Sequence, residues 1–93
     1  MSDTKIEKPN LGQAFGRLVY RLRIATGWTQ QELADKADIH RTYLNEIERD
    51  GRNVTLIIFT KLFVALGEDP SEALAVCLKA VGELEAKEEP AEA

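Results

Sequence analysis

The chain has 93 residues and a formal net charge of −4, and its composition is 44% hydrophobic and 30% charged. This length allows one small domain, near the size at which a single hydrophobic core is only just sufficient. No apolar stretch approaches the roughly 20 residues that a membrane-spanning helix needs, and residues 1–10 lack the apolar core of a signal peptide, so we expect a cytoplasmic protein. The single cysteine, Cys77, excludes an intramolecular disulfide.

The charges are unevenly distributed along the chain. Residues 10–67 contain eight basic and six acidic side chains, a net charge of +2, whereas residues 68–93 contain two basic and eight acidic side chains, a net charge of −6. A domain that binds nucleic acid mainly through charge would be more basic than residues 10–67. Charge therefore gives only weak support for DNA binding, which must be judged from the motifs.

The first predicted helix covers residues 10–26. Asn10 is a suitable N-cap, apolar side chains recur every three or four positions from Leu11 onward, and Gly27 can adopt the left-handed conformation that ends a helix. The preceding residues 1–9 are polar and unpatterned, so we expect a flexible arm. This arm either has no function or touches DNA, and both interpretations stay open.

Residues 29–48 predict two short helices joined by a tight turn. Thr29 and Glu32 have the spacing of a capping box, in which each side chain accepts a hydrogen bond from the other residue's amide, so a helix should begin there. The apolar pattern is interrupted at residues 38–40, and a second helix is predicted over residues 41–49.

The predicted helix over residues 41–49 separates its apolar from its polar side chains. Leu44 and Ile47 should face the core, which leaves hydrogen-bonding groups on the outer surface. The outward residues are Arg41, Thr42, Tyr43, Asn45, Glu46 and Arg49. Residues of these types read base edges, so this helix is the candidate DNA-reading element.

A loop at residues 50–54 precedes a fourth predicted helix. Thr55 should cap this helix, which we expect over residues 56–66. Its inward side chains should be Leu56, Phe59, Leu62, Phe63 and Leu66. Only residues 54–59 could compete as a β-strand.

A fifth helix is predicted to begin at Asp69 and Pro70 and to end at about residue 86. It carries a broad apolar stripe. Residues 87–93 should form a disordered acidic tail. The predicted fold is therefore all-α, a compact five-helix domain over residues 10–86.

These motifs resemble the phage-repressor type of helix-turn-helix regulators, the Xre or Cro-like family, over about residues 15–74. The shared motifs are Leu22-Arg23 before Gly27, Thr29-Gln30 with Glu32-Leu33-Ala34, Tyr43-Leu44 with Ile47-Glu48-Arg49, and Leu62 with Ala65-Leu66-Gly67. Arg41-Thr42-Tyr43, Ile47-Glu48-Arg49 and Arg52-Asn53-Val54-Thr55 are similar to the controller proteins of restriction-modification systems. Proteins of that group bind DNA as small dimers and regulate promoters.

The resemblance implies that the helix from Arg41 lies in the major groove, with its outward side chains available to bases or adjacent phosphates. Gln30, at the start of the preceding helix, matches a position that contacts phosphate. Arg23 and Glu48 match a mostly structural ion pair beneath the recognition helix. His40 stands where relatives usually carry a small or polar residue, which leaves its role open.

The outward side chains suit contacts with bases or with the DNA backbone. Arg41 can form a bidentate contact with guanine O6 and N7, or it contacts a phosphate. Thr42 offers a methyl group to thymine or a hydroxyl to phosphate, and Glu46 can accept a hydrogen bond from the cytosine amino group. Tyr43 either hydrogen-bonds a phosphate or packs on the domain.

Three further residues are candidates for backbone contacts. Gln30 lies at a helix start, where a phosphate would meet a side-chain donor and the positive end of the helix dipole. Arg52 and Asn53 lie in the loop after the recognition helix, where polar donors could clamp the DNA backbone. The alternative for Asn53 is a turn-making role.

The sequence offers no residue set for catalysis or for a metal. His40 and Cys77 are the only residues of their types and lie far apart, and there is neither metal-ligand spacing nor a glycine-rich phosphate loop. We therefore predict neither an enzyme nor a bound cofactor. No pocket for a small-molecule effector is evident.

The predicted function is sequence-specific binding of double-stranded DNA by a transcriptional regulator. One recognition helix reads only a few base pairs, so we expect a homodimer on a pseudo-palindromic operator. The expected dimerisation residues are Ile57, Ile58, Leu74, Leu78 and Val81. The alternative is a protein-interaction module, such as an antitoxin subunit or a polymerase partner, that uses the fifth helix and the acidic tail.

Overall fold

A computed structural model describes residues 9–52 and 54–82 of the chain. Its elements are α1 (Leu11–Thr26), α2 (Gln30–Ala37), α3 (Arg41–Asp50), α4 (Leu56–Ala65) and α5 (Pro70–Ala80). All regular structure in these residues is helical, which confirms the predicted five-helix, all-α fold. None of the five helices combines the length and the apolarity needed to cross a membrane. The predicted arm up to residue 8, the predicted tail and Asn53 lie outside the described residues.

Local capping interactions set where the helices begin. Asn10 Oδ1 accepts a hydrogen bond from the Gln13 amide (2.8 Å), and the Asn10 amide donates to Gln13 Oε1 (3.0 Å). The Glu32 amide donates to Thr29 Oγ1 (3.1 Å) and the Thr29 amide donates to Glu32 Oε1 (2.8 Å), so the predicted capping box is present. Each such cap contributes typically about 1 kcal/mol, because it satisfies amides that have no partner within the helix. The later caps are Thr55 for α4 and Asp69 for α5.

The fifth helix is shorter than the apolar stripe predicted. The expectation that it continues to about residue 86 is wrong, because α5 ends at Ala80. Gly82 adopts a left-handed φ of 81°, and its amide donates to Lys79 O (3.1 Å). A left-handed glycine turns the chain away from the helix axis, so the helical hydrogen bonds stop here.

The hydrophobic core is built from one face of each helix. Its largest fully buried side chains are Val19 on α1, Leu33 on α2, Leu44 and Ile47 on α3, Leu62 and Phe63 on α4, and Cys77 on α5. Phe15, Phe59 and Phe63 form an aromatic cluster with ring centroids 4.8 to 5.5 Å apart. Burial of one large apolar side chain contributes about 1.5 to 3 kcal/mol. The core therefore holds α3 firmly against α1 and α2.

The first turn of α4 is an exception to the predicted core. Leu56 was expected to face inward, but its side chain is 77% exposed, and the neighbouring Ile57 is 68% exposed. Leu56 lies on the wall of an open groove between α1, α4 and α5, where no described element covers it. The prediction for Leu56 is therefore wrong, whereas the other four predicted inward residues are buried or half-buried.

Helices α1 and α3 approach closely at two glycines of α1. A Cβ atom on Gly12 would lie 2.8 Å from the Gly51 oxygen, and a Cβ atom on Gly16 would overlap the Ile47 carbonyl. Only glycine allows a backbone to come this close to a neighbouring carbonyl. The second half of α3 therefore lies directly against the backbone of α1, which restricts the direction of α3.

Candidate nucleic-acid interface

The turn between α2 and α3 sets the angle of the helix-turn-helix. Asp38 has φ 59° and ψ 50°, a left-handed conformation that aspartate tolerates better than most residues. The Ile39 amide donates to Ala34 O (3.0 Å), and the Ile39 side chain packs partly against the core. The exposed His40, whose role the sequence left open, is the N-cap of α3, and its side chain makes no capping hydrogen bond.

The predicted DNA-reading side chains lie on an exposed surface of α3. The exposed members are Arg41, Thr42, Asn45, Glu46 and Arg49. Leu44 and Ile47, on the other side of the helix, are fully buried. Since positions three and four apart are neighbours on a helix, the exposed side chains form one continuous polar surface. Tyr43 differs from them, because it is half-buried and packs partly against the core.

A buried ion pair lies beneath this polar surface. Arg23 of α1 donates from Nε to Glu48 Oε2 (2.7 Å) and from Nη2 to Glu48 Oε1 (3.0 Å). A third bond runs from Arg23 Nη1 to the carbonyl oxygen of Trp28 (2.8 Å). Only 10% of the Arg23 side chain and 5% of the Glu48 side chain are exposed. Hydrogen bonding to Glu48 raises the pKa of Arg23 against the opposing effect of burial, so the Arg23 guanidinium stays charged where it joins α1 to α3.

Gln30, a predicted phosphate contact at the start of α2, is also engaged within the protein. Its Nε2 donates to Glu48 Oε1 (3.0 Å), and its Oε1 accepts from Asn45 Nδ2 (3.4 Å). Sequence reasoning missed these bonds, because the partners lie 15 and 18 positions away and no local pattern relates them. One hydrogen of the Gln30 amide still remains to donate to a phosphate.

The loop after α3 holds Arg52 close to the helix end. The Arg52 amide donates to Asp50 Oδ1 (3.1 Å), and Arg52 Nη2 donates to Asp50 Oδ2 (2.9 Å). The Arg52 side chain is 73% exposed. Exposed pairs of this kind contribute about 0 to 1 kcal/mol, so Arg52 could exchange Asp50 for a phosphate at small cost. Asn53, the other predicted loop contact, lies outside the described residues.

The predicted dimerisation residues divide into exposed and covered side chains. Ile57 and Leu74 are exposed, whereas Leu78 is half-buried and Ile58 and Val81 pack partly against the core. The open groove beside Leu56 has a volume of about 400 Å³ and is mostly apolar. Its lining includes Leu11, Phe15, Val54, Leu56, Phe59 and Leu74. We call this feature the apolar groove.

The described part of the chain contains no group suited to hold a metal ion. Clusters of three or more His, Cys, Asp or Glu with that arrangement are absent from residues 9–52 and 54–82. Cys77 is buried among core side chains, and burial raises the pKa of its thiol. Cys77 is therefore a packing residue of α5 with little thiolate character.

A small helical domain in which a tight turn leads into a helix with an exposed polar surface is typical of helix-turn-helix DNA-binding transcription regulators. The helix-turn-helix family model matches residues 19–72 of the chain. The chain belongs to this family, in its Xre or Cro-like branch, which confirms the resemblance drawn from its motifs.

Several known proteins resemble the chain in sequence or structure. Control protein C.BamHI from Bacillus amyloliquefaciens is 39% identical over 66 residues, which cover 70% of this chain and 82% of that protein. The restriction-modification controller protein C.AhdI from Aeromonas hydrophila is 37% identical, with a TM-score of 0.63 over 67% of this chain and 94% of that one. The clp gene regulator ClgR from Corynebacterium glutamicum is 27% identical, with a TM-score of 0.72 over 81% of this chain and 80% of that one. All three bear the name of a control, controller or regulator protein.

Proposed function

We propose that this protein is a restriction-modification controller that acts in the cytoplasm and binds a pseudo-palindromic operator as a homodimer. The similarity to C.BamHI and C.AhdI, over 82% and 94% of their lengths, carries this proposal. The polar surface of α3 supports it, because the buried Arg23–Glu48 pair and the glycine contacts of α1 hold that helix in one direction.

In the proposed complex, α3 enters the major groove from its amino-terminal end. The exposed guanidinium of Arg41 pairs with guanine O6 and N7, and Thr42 and Glu46 face neighbouring bases. Gln30 and Arg52 contact phosphates on either side, and these contacts fix the register of α3 on the duplex. Tyr43 contributes mainly by packing α3 against the hydrophobic core.

The proposed dimer buries the exposed apolar residues around the apolar groove. Leu56, Ile57 and Leu74 cost free energy while they face water, at about 25 cal/mol for each Å² of apolar surface. A two-fold axis beside α4 and α5 would bring two copies of this surface together. The two recognition helices would then address half-sites about 34 to 36 Å apart or a multiple of that distance.

Selection of bound duplexes from genomic fragments tests the DNA-binding part of the proposal. The wild-type protein should enrich a two-fold symmetric site, and Arg41→Ala should weaken binding to that site by about 1 to 3 kcal/mol while leaving non-specific binding unchanged. Arg17→Ala, which removes an exposed arginine of α1, is the matched control and should leave both affinities unchanged. Equal losses in specific and non-specific binding would make Arg41 a phosphate contact. A wild-type protein that enriches no sequence would favour a protein-interaction module instead.

Sedimentation equilibrium tests the dimer. The wild-type protein should sediment as a dimer at micromolar concentration, and Leu56→Glu with Ile57→Glu should give a folded monomer, because both side chains are exposed in one copy. Ile24→Glu changes an apolar α1 residue that is 51% exposed, and it should remain dimeric. A monomeric wild-type protein, or a dimer that the charged pair leaves intact, would contradict the proposed surface.

A further inference from the structure

Four polar side chains form a hydrogen-bonded relay from the buried ion pair to the exposed surface of α3. Glu48 Oε1 accepts from Arg23 Nη2 (3.0 Å) and also from Gln30 Nε2 (3.0 Å). Gln30 Oε1 in turn accepts from Asn45 Nδ2 at 3.4 Å, which is longer than the usual N–H···O range of about 2.7 to 3.2 Å. The relay thus runs from a covered carboxylate on α3, through α2, to an exposed amide on α3.

Glu48 determines which group donates and which accepts in each hydrogen bond of the relay. Arg23 can only donate hydrogen bonds, and it donates to both carboxylate oxygens of Glu48, so both oxygens act as acceptors. Gln30 must therefore turn its NH₂ group toward Glu48 and its oxygen toward Asn45. Asn45 must then turn its own NH₂ group toward Gln30. An isolated amide could take either orientation, so it is the carboxylate that selects one of the two at both positions.

The selected orientation leaves Asn45 with a defined recognition edge. The relay uses one N–H of Asn45 and leaves Oδ1 and the second N–H for another partner. An oxygen acceptor beside an N–H donor matches adenine, whose N6 amino group donates and whose N7 accepts in the major groove. The same edge disfavours guanine, because guanine presents two acceptors, O6 and N7, and Asn45 Oδ1 would face one of them.

We propose that Glu48 is a positioning residue that acts through Gln30 to fix the amide of Asn45, and that Asn45 selects adenine over guanine in each half-site. This inference rests on the proposed function, since it requires α3 to lie in the major groove of an operator. Gln30 has a dual role: its second N–H donates to a phosphate while its oxygen holds Asn45. Backbone contact and base reading are therefore coupled through one side chain.

The test is selection of operator variants, randomised at every position of the half-site, with purified full-length proteins. Asn45→Ala should lose an adenine preference of roughly 5- to 150-fold at one position of each half-site, the discrimination typical of one bidentate contact. Glu48→Gln should lower the adenine-over-guanine ratio at that same position, because a glutamine can also donate and no longer selects one amide orientation. The base preference at the Arg41 position should not change in either variant.

Gln30→Ala tests the relay without disturbing the ion pair, in case Glu48→Gln is unstable. It removes the middle of the relay and should lower the same adenine-over-guanine ratio. Gln31→Ala is the matched control: the neighbouring Gln31 donates to Asp35 of its own helix (2.9 Å), outside the relay, so all base preferences should survive its removal. Circular dichroism of each variant measures the folded fraction, by which every affinity is corrected.

The outcomes separate this inference from the proposed function. A purely structural Glu48 would lower binding to all operators by one factor and leave the base preferences unchanged, which would overturn the positioning role. An adenine preference that survives in Asn45→Ala would overturn the assignment of Asn45. A wild-type protein without any sequence preference would remove the proposed function together with this inference. Loss of the adenine-over-guanine ratio in Glu48→Gln or Gln30→Ala, with the Arg41 position unchanged, supports it.

Discussion

Removal of Arg23 alone should destabilise the protein far more than removal of Arg23 and Glu48 together. In Arg23→Met, the Glu48 carboxylate would lose two charge-assisted hydrogen bonds while it stays 95% covered. Breaking a buried pair on one side costs about 3 to 5 kcal/mol. The Trp28 carbonyl would also lose its donor, which adds about 1 kcal/mol. Since 1 kcal/mol shifts the melting temperature of a domain of this size by about 4 to 8 °C, a fall of about 16 °C or more is expected.

The double variant Arg23→Met with Glu48→Met provides the decisive comparison. Replacement of a whole buried ion pair by apolar side chains is often neutral or stabilising, so the double variant should recover most of the loss. Urea unfolding, followed by circular dichroism and by the fluorescence of Trp28, measures the free energy of unfolding of all three proteins. A loss below about 1 kcal/mol in Arg23→Met, the cost typical of an exposed pair, would refute the reasoning. A double variant no more stable than the single one would refute it as well.

Three further predictions concern the core, the close helix contact and a helix cap. Phe63→Ala should cost about 3 to 5 kcal/mol because the ring is fully buried. Val64→Ala changes a side chain that is 62% exposed, so its free energy of unfolding, measured by the same urea unfolding, should stay within about 0.5 kcal/mol of wild type. Equal losses in Phe63→Ala and Val64→Ala would contradict the assigned core. Gly16→Ala should cost about 1 to 3 kcal/mol because the added Cβ overlaps a carbonyl of α3, and a variant as stable as wild type would contradict that contact. In the folded protein the pKa of Asp69 lies below its ordinary value of 3.8, mainly because the Ser71 hydroxyl donates a hydrogen bond to its carboxylate. The stabilisation from this charged cap is therefore fully present above pH 3.8 and is lost as the pH falls through the pKa of Asp69 in the folded protein. Asp69→Asn should therefore gain stability relative to wild type on acidification below that pH, measured by thermal unfolding; a constant difference would rule out the charged cap.

Local patterns were enough to determine where the helices begin and which surface of α3 is polar. The caps at Asn10, Thr29, Thr55 and Asp69 join residues two or three positions apart, so the sequence contains both partners of each bond. The 3.6-residue period likewise separates buried Leu44 and Ile47 from their exposed polar neighbours. The helix-turn-helix and most of its candidate DNA contacts could therefore be predicted from short-range chemistry and from the family motifs.

The tertiary structure decided which of these groups are engaged and which apolar side chains stay uncovered. The regular spacing of apolar residues identifies the apolar side of a helix, but it does not reveal whether another element covers that side. For this reason Leu56 was wrongly assigned to the core. Glycine within an apolar stripe is compatible with a continuing helix at a cost of about 1 kcal/mol, so only the fold revealed that α5 stops before Gly82. The bonds of Gln30 to Glu48 and Asn45 depend on the packing of α2 across α3. These partners lie far apart in the sequence and come into contact only when the helices pack together, so no local sequence pattern predicts their hydrogen bonds.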